Sequence, residues 1–289
     1  MSLDLHLLTP FNAAGEGGMR ICGAYERELP NDAYSEEQRG RRQSSRRCAE
    51  CVASGKQLVL MKKGRTRPEG DNCLICQLPL PLDVDQSSFY ECCMKEMCHG
   101  CVFSAMKRGM WDCPFCRKPM HMIESQALAA IQKRVDAGDP VAMWHLGFKY
   151  LFAKNGLERD VVRAIELQER AAELGLKEAN YGLGVMYAKG IDVEKDLAKA
   201  FRHYEAAAMC GHVSARHHLG CEEDNAGNHD LALQHWMISS NMGHEDSLND
   251  VKASFIDGHA TKADYAAALR GYQDAIEEMS SPDRAEAKA

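Results

Sequence analysis

Eight of the thirteen cysteines lie between residues 73 and 116, at spacings that suit metal binding. Three of the four pairs are Cys-x2-Cys, and a two-residue gap lets both thiolates of a pair turn onto one ion. Disulfide or redox roles are disfavoured, because nothing before residue 30 resembles a signal peptide and disulfides are rare in reducing compartments. We therefore expect two closed zinc sites whose ligands are Cys73, Cys76, Cys92, Cys93, Cys98, Cys101, Cys113 and Cys116.

The order of these pairs along the chain is that of a cross-brace, in which the first and third pairs share one zinc and the second and fourth share another. This order resembles a RING finger over about residues 71–120. The similarity is greatest to all-cysteine variants, whose second pair lies just before a Cys-x4-Cys-x2-Cys run, here Cys93 to Cys101. The resemblance implies a small α+β fold that is stabilised by Zn2+, with no catalytic group of its own.

The second pair departs from the common RING pattern. A histidine or cysteine usually stands two or three residues before the fifth ligand, where this chain has Met94, Lys95 and Glu96. The second pair must then be the adjacent Cys92 and Cys93, and two neighbouring residues can bind one ion only with strained geometry. If only one of them binds, His99 or His121 could complete the second site.

The resemblance also implies a function, since a RING binds a ubiquitin-conjugating enzyme in a shallow apolar groove and orients its ubiquitin thioester. Such a module raises the rate of ubiquitin transfer by positioning the thioester. Ile75, Pro114 and Arg117 stand at the positions that contact the conjugating enzyme or bridge it to ubiquitin, whereas Ala105 replaces a common tryptophan or leucine. Packing in the zinc loops is the alternative role for Ile75 and Pro114, and a solvated charge is the alternative for Arg117.

A second cysteine group precedes the RING-like region, in a basic segment that we place at 18–70. Cys22 begins a Cys-x2-Tyr sequence, and Cys48 and Cys51 form a Cys-x2-Cys pair, so that Tyr25 stands where a fourth ligand would be. Either His6 or another group completes a third zinc site near Cys48, or this knuckle has lost its metal. The basic residues of this segment are not interleaved with aromatic residues, so nucleic-acid binding is not expected.

After Pro119 the sequence becomes repetitive. The pattern Ala-x3-Leu-Gly-x2-Tyr starts at Ala142 and Ala179 and continues without its tyrosine at Ala215, and Gly175, Gly211 and Gly243 are separated by 36 and 32 residues. A period of this length is typical of stacked helix pairs. The alanine, Leu-Gly, aspartate and Ala-Ala-x2-Gly positions resemble Sel1-like repeats, relatives of the tetratricopeptide repeats, over about residues 139–278.

The glycines predict the helix boundaries, since each should end a second helix with a positive φ that is cheap only without a Cβ. Gly138 precedes Ala142 as Gly175 precedes Ala179, so residues 125–137 should form a lone helix of the second type that caps the stack. The RING would then join the solenoid through a helix. The fold class is thus a small zinc-stabilised α+β RING domain followed by an all-α solenoid.

The domains that follow are a tail at 1–17, the basic knuckle-like segment at 18–70, the RING at 71–120, a linker and capping helix at 121–138, repeats at 139–280 and a tail at 281–289. The net charge of −7 and the 45% apolar composition are those of a soluble globular protein. No apolar run approaches the roughly 18 residues of a membrane span. We expect a cytoplasmic or nuclear location.

Eight histidines lie beyond residue 200, but they lack the consistent i, i+4 spacing around a carboxylate that marks a zinc hydrolase. We assign them to the surface or to packing between repeats. The sequence therefore favours an adaptor in which the RING recruits a ubiquitin-conjugating enzyme and the repeats bind a protein substrate on a concave face. The alternative is a non-enzymatic scaffold that only assembles a protein complex.

Overall fold

The structure, a computed structural model, describes residues 18–118 and 123–288. The predicted tail at 1–17 and the alternative ligands His6 and His121 lie outside these residues. The chain divides into two compact units at Lys62. Among the described residues, no helix is both long enough and apolar enough to span a membrane.

The first unit is a hairpin with three short helices. Strands β1 (Met19–Cys22) and β2 (Arg27–Pro30) pair antiparallel, followed by α1 (Glu36–Gly40), α2 (Ala49–Ala53) and α3 (Val59–Lys62). Its small core is built around Tyr34, Ala24 and three buried cysteines. Such a core buries little apolar surface, so a bound metal would contribute much of its stability.

The second unit begins with the linker segment 63–72 and the predicted RING region. Strands β3 (Ser87–Tyr90) and β4 (Lys95–Cys98) form an antiparallel hairpin that leads directly into α4 (His99–Lys107). The sequence predicts this helix at 102–110, after the sixth ligand. In the structure it begins at His99 because Cys98 is its N-cap, and Cys101 therefore lies in its first turn. Gly109, with a φ of 73°, follows its C-terminus as expected.

A capping helix and four helix pairs make up most of the second unit. The capping helix is α5 (Glu124–Asp136). The pairs are α6 (Pro140–Leu151) with α7 (Val161–Glu173), α8 (Lys177–Lys189) with α9 (Leu197–Met209), α10 (Val213–Asn225) with α11 (His229–Ser240), and α12 (Glu245–Ile256) with α13 (Lys262–Glu278). Where the sequence predicts a tail at 281–289, the structure has a further short helix, α14 (Pro282–Glu286).

The repeated glycines have the two roles that the pattern requires. Gly138, Gly175, Gly211 and Gly243 all have positive φ, between 80° and 92°, directly after α5, α7, α9 and α11. The glycine of the Leu-Gly position permits close approach within a pair. A Cβ on Gly184 would lie 2.6 Å from the Tyr204 ring, and one on Gly220 would lie 2.4 Å from the Trp236 indole. α8 and α10 can thus each lie against an aromatic ring of the second helix in their pair.

The RING-like module packs directly onto the first helices of the repeats. Met94, at the tip of the β3–β4 hairpin, is buried in one core with Ile131 and Val135 of α5 and Met143 and Leu146 of α6. The side chain that stands where a common RING has a ligand is therefore a packing residue. This shared core joins the module to the repeats, in addition to the predicted connection through α5.

Charged groups next to Met94 complete this contact. Lys149, only 4% exposed, donates a hydrogen bond from Nζ to Glu91 Oε1 over 2.6 Å. Burial and the nearby Lys149 charge lower the pKa of His145 to about 4, so its ring is neutral at pH 7 and packs edge-on against Phe89. Lys149 is therefore the cationic partner of Glu91, and loss of either charge would leave the other poorly compensated.

The linker segment 63–72 packs against later helices of the repeats, α8 and α10. Arg216, fully buried on α10, donates to the carbonyls of Lys63 over 2.6 Å and of Ala208 over 2.9 Å. Asp71 at the end of the linker forms an ion pair with Lys177 at the start of α8. Residues 63–72 therefore belong with the repeats, whereas the sequence placed 63–70 in the basic segment.

Replacing Met94 by alanine should destabilise the second unit. Truncating a buried methionine typically costs about 2–5 kcal/mol in the free energy of unfolding, because the lost contacts leave a cavity. Met106→Ala, on the exposed side of α4, is the control and should change this free energy by less than about 0.5 kcal/mol. Urea denaturation followed by helical circular dichroism measures both. Equal effects of the two variants would contradict the shared core.

Candidate metal centre

Four of the predicted ligands form the first thiol cluster. Cys73 and Cys76 lie in a tight turn before the β3–β4 hairpin, Cys98 ends β4, and Cys101 lies in α4. Their four sulfurs lie within 4.8 Å of one another, and Cys76 Sγ is 3.8 Å from Cys98 Sγ. The structure thus brings the first and third pairs together.

The other four form the second thiol cluster. Cys92 and Cys93 lie at the tip of the hairpin, and Cys113 and Cys116 lie in a turn after α4. These sulfurs also lie within 4.8 Å of one another, with Cys93 Sγ 3.7 Å from Cys113 Sγ. The adjacent pair and the fourth pair therefore meet in the cross-brace grouping, without a histidine from the described residues.

Two of the three Cys-x2-Cys pairs in these clusters, Cys73/Cys76 and Cys113/Cys116, share the same backbone turn. In each turn the N–H of the residue after the second cysteine donates to the carbonyl of the first, from Gln77 to Cys73 over 2.8 Å and from Arg117 to Cys113 over 2.9 Å. Gln77 and Arg117 have φ values of 60° and 61°, the left-handed conformation that non-glycine residues seldom adopt. This conformation closes the turn so that both sulfurs face one point.

The β3–β4 hairpin explains how adjacent cysteines can serve one cluster. Met94 has a φ of 52°, and the Cys93 N–H donates to the Tyr90 carbonyl over 3.0 Å. Tyr90 therefore occupies the first position of a knuckle-like turn, Cys93 occupies its second ligand position, and Cys92 supplies the remaining sulfur. Because Tyr90 packs among the cluster residues in the core of the module, its ring fills the place of the missing first cysteine.

Electrostatics make these clusters suited to a cation. A hydrogen bond from Cys98, despite burial, lowers the pKa of Cys73 to about 4, while the same contact raises the pKa of Cys98. The thiolate form of Cys73 is thus favoured next to Cys98, and a metal ion bound here would displace the remaining thiol protons of the first cluster. Four sulfur donors in closed, largely buried tetrads can hold metal ions, and this donor set fits structural zinc.

The first cluster has a cationic neighbour from the end of the chain. Arg284 on α14 is 5% exposed, and its guanidinium donates to Cys76 Sγ over 3.4 Å and to the Pro79 carbonyl over 2.7 Å. A Cβ on Gly100 would lie 2.7 Å from the backbone nitrogen of Arg284, so glycine at this position allows α14 to approach α4. The segment predicted as a tail therefore positions a cation beside the thiols of the first cluster.

A third thiol cluster lies in the first unit. Cys22 ends β1 and Cys48 and Cys51 lie at α2, with Cys22 Sγ 3.7 Å from Cys51 Sγ. Tyr25 does not turn toward these sulfurs, since its hydroxyl pairs with Glu50 and Lys56. Within residues 18–118 and 123–288 no fourth histidine, cysteine or carboxylate joins the three thiols. This cluster offers three ligands.

The residues predicted to meet a conjugating enzyme are accessible. Ile75 is 51% exposed, Arg117 is exposed, and Pro114 is half-buried. The sequence interpretation did not single out Leu74, which is 43% exposed, or Trp111, which is 61% exposed. The signal was available, because Trp111 is a large aromatic residue in the short segment between α4 and Cys113.

A further side-chain group on the repeats was also missed. His217, Cys221 and Asp250 bring a nitrogen, a sulfur and a carboxylate oxygen within 4.8 Å of one another. His217 and Cys221 are four residues apart on α10, a spacing that places two side chains on one helix face. A pattern of histidines around a carboxylate along the chain does not include a cysteine at that spacing or an aspartate from another helix, so it does not indicate this group.

Removing the adjacent cysteines should remove one metal ion. Cys92→Ser with Cys93→Ser leaves the second cluster two sulfurs, which is too few for a closed tetrahedral site. We expect about one zinc ion fewer per chain than in the wild type, measured by inductively coupled plasma mass spectrometry on dialysed protein. Cys210→Ser, an exposed cysteine outside the clusters, is the control. An unchanged zinc content in the double variant would refute this ligand set.

Removing the Arg284 guanidinium should weaken the first cluster. Groups that donate to metal ligands typically change metal affinity by about 10–100-fold. Arg284→Met keeps the length of the side chain but not its donors, so a chelator should remove zinc at least about tenfold faster, as followed with a colorimetric zinc indicator. Arg270→Met, on the exposed side of α13, is the matched control. Equal release rates would show that Arg284 only packs.

Comparisons with known proteins bear on the repeats. The family model described as the Sel1 repeat matches residues 140–176 and 177–212. An Arabidopsis thaliana protein named "ERAD-associated E3 ubiquitin-protein ligase component HRD3B" is 33% identical over 98 residues, which cover 34% of this chain. The match spans only 15% of the length of that relative.

Two solved structures are also similar to part of this chain. A Sel1 repeat protein from Oxalobacter formigenes is 32% identical, with a TM-score of 0.42, over 44% of this chain and 98% of that one. The Escherichia coli protective antigen c5321, with an SLR fold, is 18% identical, with a TM-score of 0.47, over 62% of this chain and 38% of that one. On the family match and the observed helix pairs, residues 140–212 of this protein are two Sel1 repeats.

Proposed function

We propose that this protein is a zinc-dependent adaptor of the RING type that recruits a ubiquitin-conjugating enzyme while its repeats bind a protein substrate. The observation that carries the proposal is the interleaved grouping of the eight cysteines into two thiol clusters. Two closed zinc sites hold the module in shape but have no open position for a reaction. The module therefore acts by holding a reactive partner.

The surface around the clusters supports this proposal. Leu74 and Ile75 lie exposed between the ligands Cys73 and Cys76, and Trp111 lies exposed before Cys113. Large apolar side chains that stay exposed beside a rigid scaffold are typical of a protein interface, and tryptophan is enriched among its strongest contributors. We assign Ile75 and Pro114 to the groove for the conjugating enzyme and add Trp111 to it.

Arg117 has the position and charge for the transfer step. Its exposed side chain follows Cys116, and its backbone is fixed in the turn that closes the second cluster. A guanidinium can donate to carbonyl groups of enzyme and ubiquitin at once, and it thereby limits the thioester to reactive orientations. Arg117 thus raises the transfer rate without a covalent step.

The repeats supply the partner surface in this proposal. The name of the Arabidopsis relative describes a component of a ubiquitin ligase, which favours such a partnership for the repeats of this chain. Part of the helix surface is already occupied by the chain itself, because Asp71 pairs with Lys177, Glu91 pairs with Lys149, and the Lys63 carbonyl accepts from Arg216. A substrate would therefore bind the repeats beside the RING rather than across this face.

A scaffold without ligase activity is the second candidate. Ala105 on α4 offers little apolar surface where many RINGs carry a large side chain, and this favours weak or no binding of a conjugating enzyme. The exposure of Trp111 argues against the scaffold, since an exposed indole near the same helix could supply the missing apolar contact.

Reconstituted ubiquitin transfer tests the proposal. A panel of ubiquitin-conjugating enzymes charged with ubiquitin is mixed with the zinc-loaded full chain, and discharge of the thioester onto free lysine is followed on gels. Ile75→Ala should slow discharge roughly tenfold or more, because an interface anchor contributes about 2 kcal/mol. Val84→Ala, an exposed apolar residue in the first loop, is the control.

Arg117→Ala separates binding from orientation. It should slow discharge while leaving the affinity for the uncharged conjugating enzyme within about twofold, and Arg117→Lys should not restore the rate, because lysine lacks the planar fork of donors. If the zinc-loaded chain accelerates no member of the panel, the ligase proposal fails and the scaffold remains.

A further inference from the structure

The group formed by His217, Cys221 and Asp250 brings three possible metal-donor atoms together between two repeats. His217 Nε2 lies 2.9 Å from Asp250 Oδ2 and 3.5 Å from Cys221 Sγ. In the metal-free state the Nε2–H of His217 can donate to Asp250 and, more weakly, to the sulfur of Cys221. A cation between the three atoms would satisfy all of them at once.

The elements hold these atoms in place. His217 and Cys221 share one face of α10, and Asp250 lies on α12, the first helix of the next pair. The His244 ring stacks on the His217 ring with centroids 4.6 Å apart, and its Nδ1 accepts the Ser247 N–H at the start of α12. His244 is therefore engaged by its own helix and fixes the plane of the His217 ring.

Packing between repeats does not require this set of side chains. Aligning Ala179 with Ala215 places Tyr181 and Val185 where α10 has His217 and Cys221. In that preceding repeat the Tyr181 hydroxyl lies 3.3 Å from His218 Nε2, so a simple hydrogen-bonded pair makes the equivalent contact. The later repeat replaces tyrosine and valine with two metal-binding groups at the same positions.

We propose that His217, Cys221 and Asp250 form a Zn2+ site between two repeats, separate from the thiol clusters. Imidazole, thiolate and carboxylate are all zinc donors, and three protein ligands leave a fourth position for water or for a group from a partner. The side chains of His217 and Asp250 are 16% and 34% exposed, so an ion can enter from solvent. The site would link α10 to α12 and stiffen the repeat array at this point.

Exchanging the residues of one repeat for those of the other tests the site. His217→Tyr with Cys221→Val copies the side chains that already pack at the equivalent positions of α8. In the full chain we expect about one zinc ion fewer per chain than in the wild type by mass spectrometry, and this loss should add to that of Cys92→Ser with Cys93→Ser. Added Zn2+ should also raise the thermal midpoint of the metal-depleted wild type more than that of this variant.

A second variant guards against misfolding of the first. Asp250→Asn keeps the shape of the side chain but removes its charge, and we expect zinc affinity at this site to fall at least about tenfold. His229→Asn with Cys210→Ser, which removes one imidazole and one thiol elsewhere on the repeats, is the control and should lose no zinc. Equal zinc content in wild type, exchange variant and Asp250→Asn would overturn the proposal and leave a hydrogen-bonded contact only.

Discussion

The cysteine-rich module that precedes the repeats is organised around the convergence of its thiols. Few large apolar side chains are buried in the RING-like module besides the cysteines themselves, chiefly Leu80, Tyr90 and Met97. Four sulfurs held within 4.8 Å of one another would crowd protons or negative charge into a buried space. A doubly charged cation would remove this conflict, and in the proposed zinc-bound state metal binding would be coupled to folding of the module.

The module in turn is attached to the repeats at separate places. Met94 enters the core at the start of the array, and Arg284 returns from its end to reach Cys76. Between them, Arg216 and Lys177 hold the linker segment 63–72. Contacts with several helices restrict hinge motion, so a partner bound to the repeats would keep a defined distance and orientation relative to the module. For an adaptor that acts by positioning, this restriction is functional.

The repeats carry more chemistry than their packing pattern requires. Histidines cap two of the first helices, with His212 Nδ1 accepting from Ala215 and His244 Nδ1 accepting from Ser247. Residues of the first helix in the preceding pair stack on them, Tyr181 of α8 on His212 and His217 of α10 on His244. Equivalent positions therefore carry an aromatic pair in one repeat and a histidine, a cysteine and an aspartate in the next. A repeat array can vary such positions because each contact involves only neighbouring repeats.

The sequence by itself determined the elements whose cause is local. Two-residue gaps bring cysteines together in pairs, and glycines at Gly175, Gly211 and Gly243 end helices because the left-handed conformation is cheap only there. These rules also predicted the grouping of the thiols and the helix pairs. The start of α4 was misplaced by three residues, since the hairpin before it decides where the helix begins.

Only the tertiary structure decided the contacts between residues distant in the chain. Spacing cannot show that Met94 fills a core formed by α5 and α6, that Arg284 lies beside Cys76, or that Asp250 meets His217. Each of these depends on how far one helix pair is rotated and shifted against the next, and side-chain packing over the whole array sets that geometry. The knuckle-like turn at Tyr90 was also not predictable from spacing, because it is recognised by the backbone conformation of Met94 and not by a pattern of ligand residues.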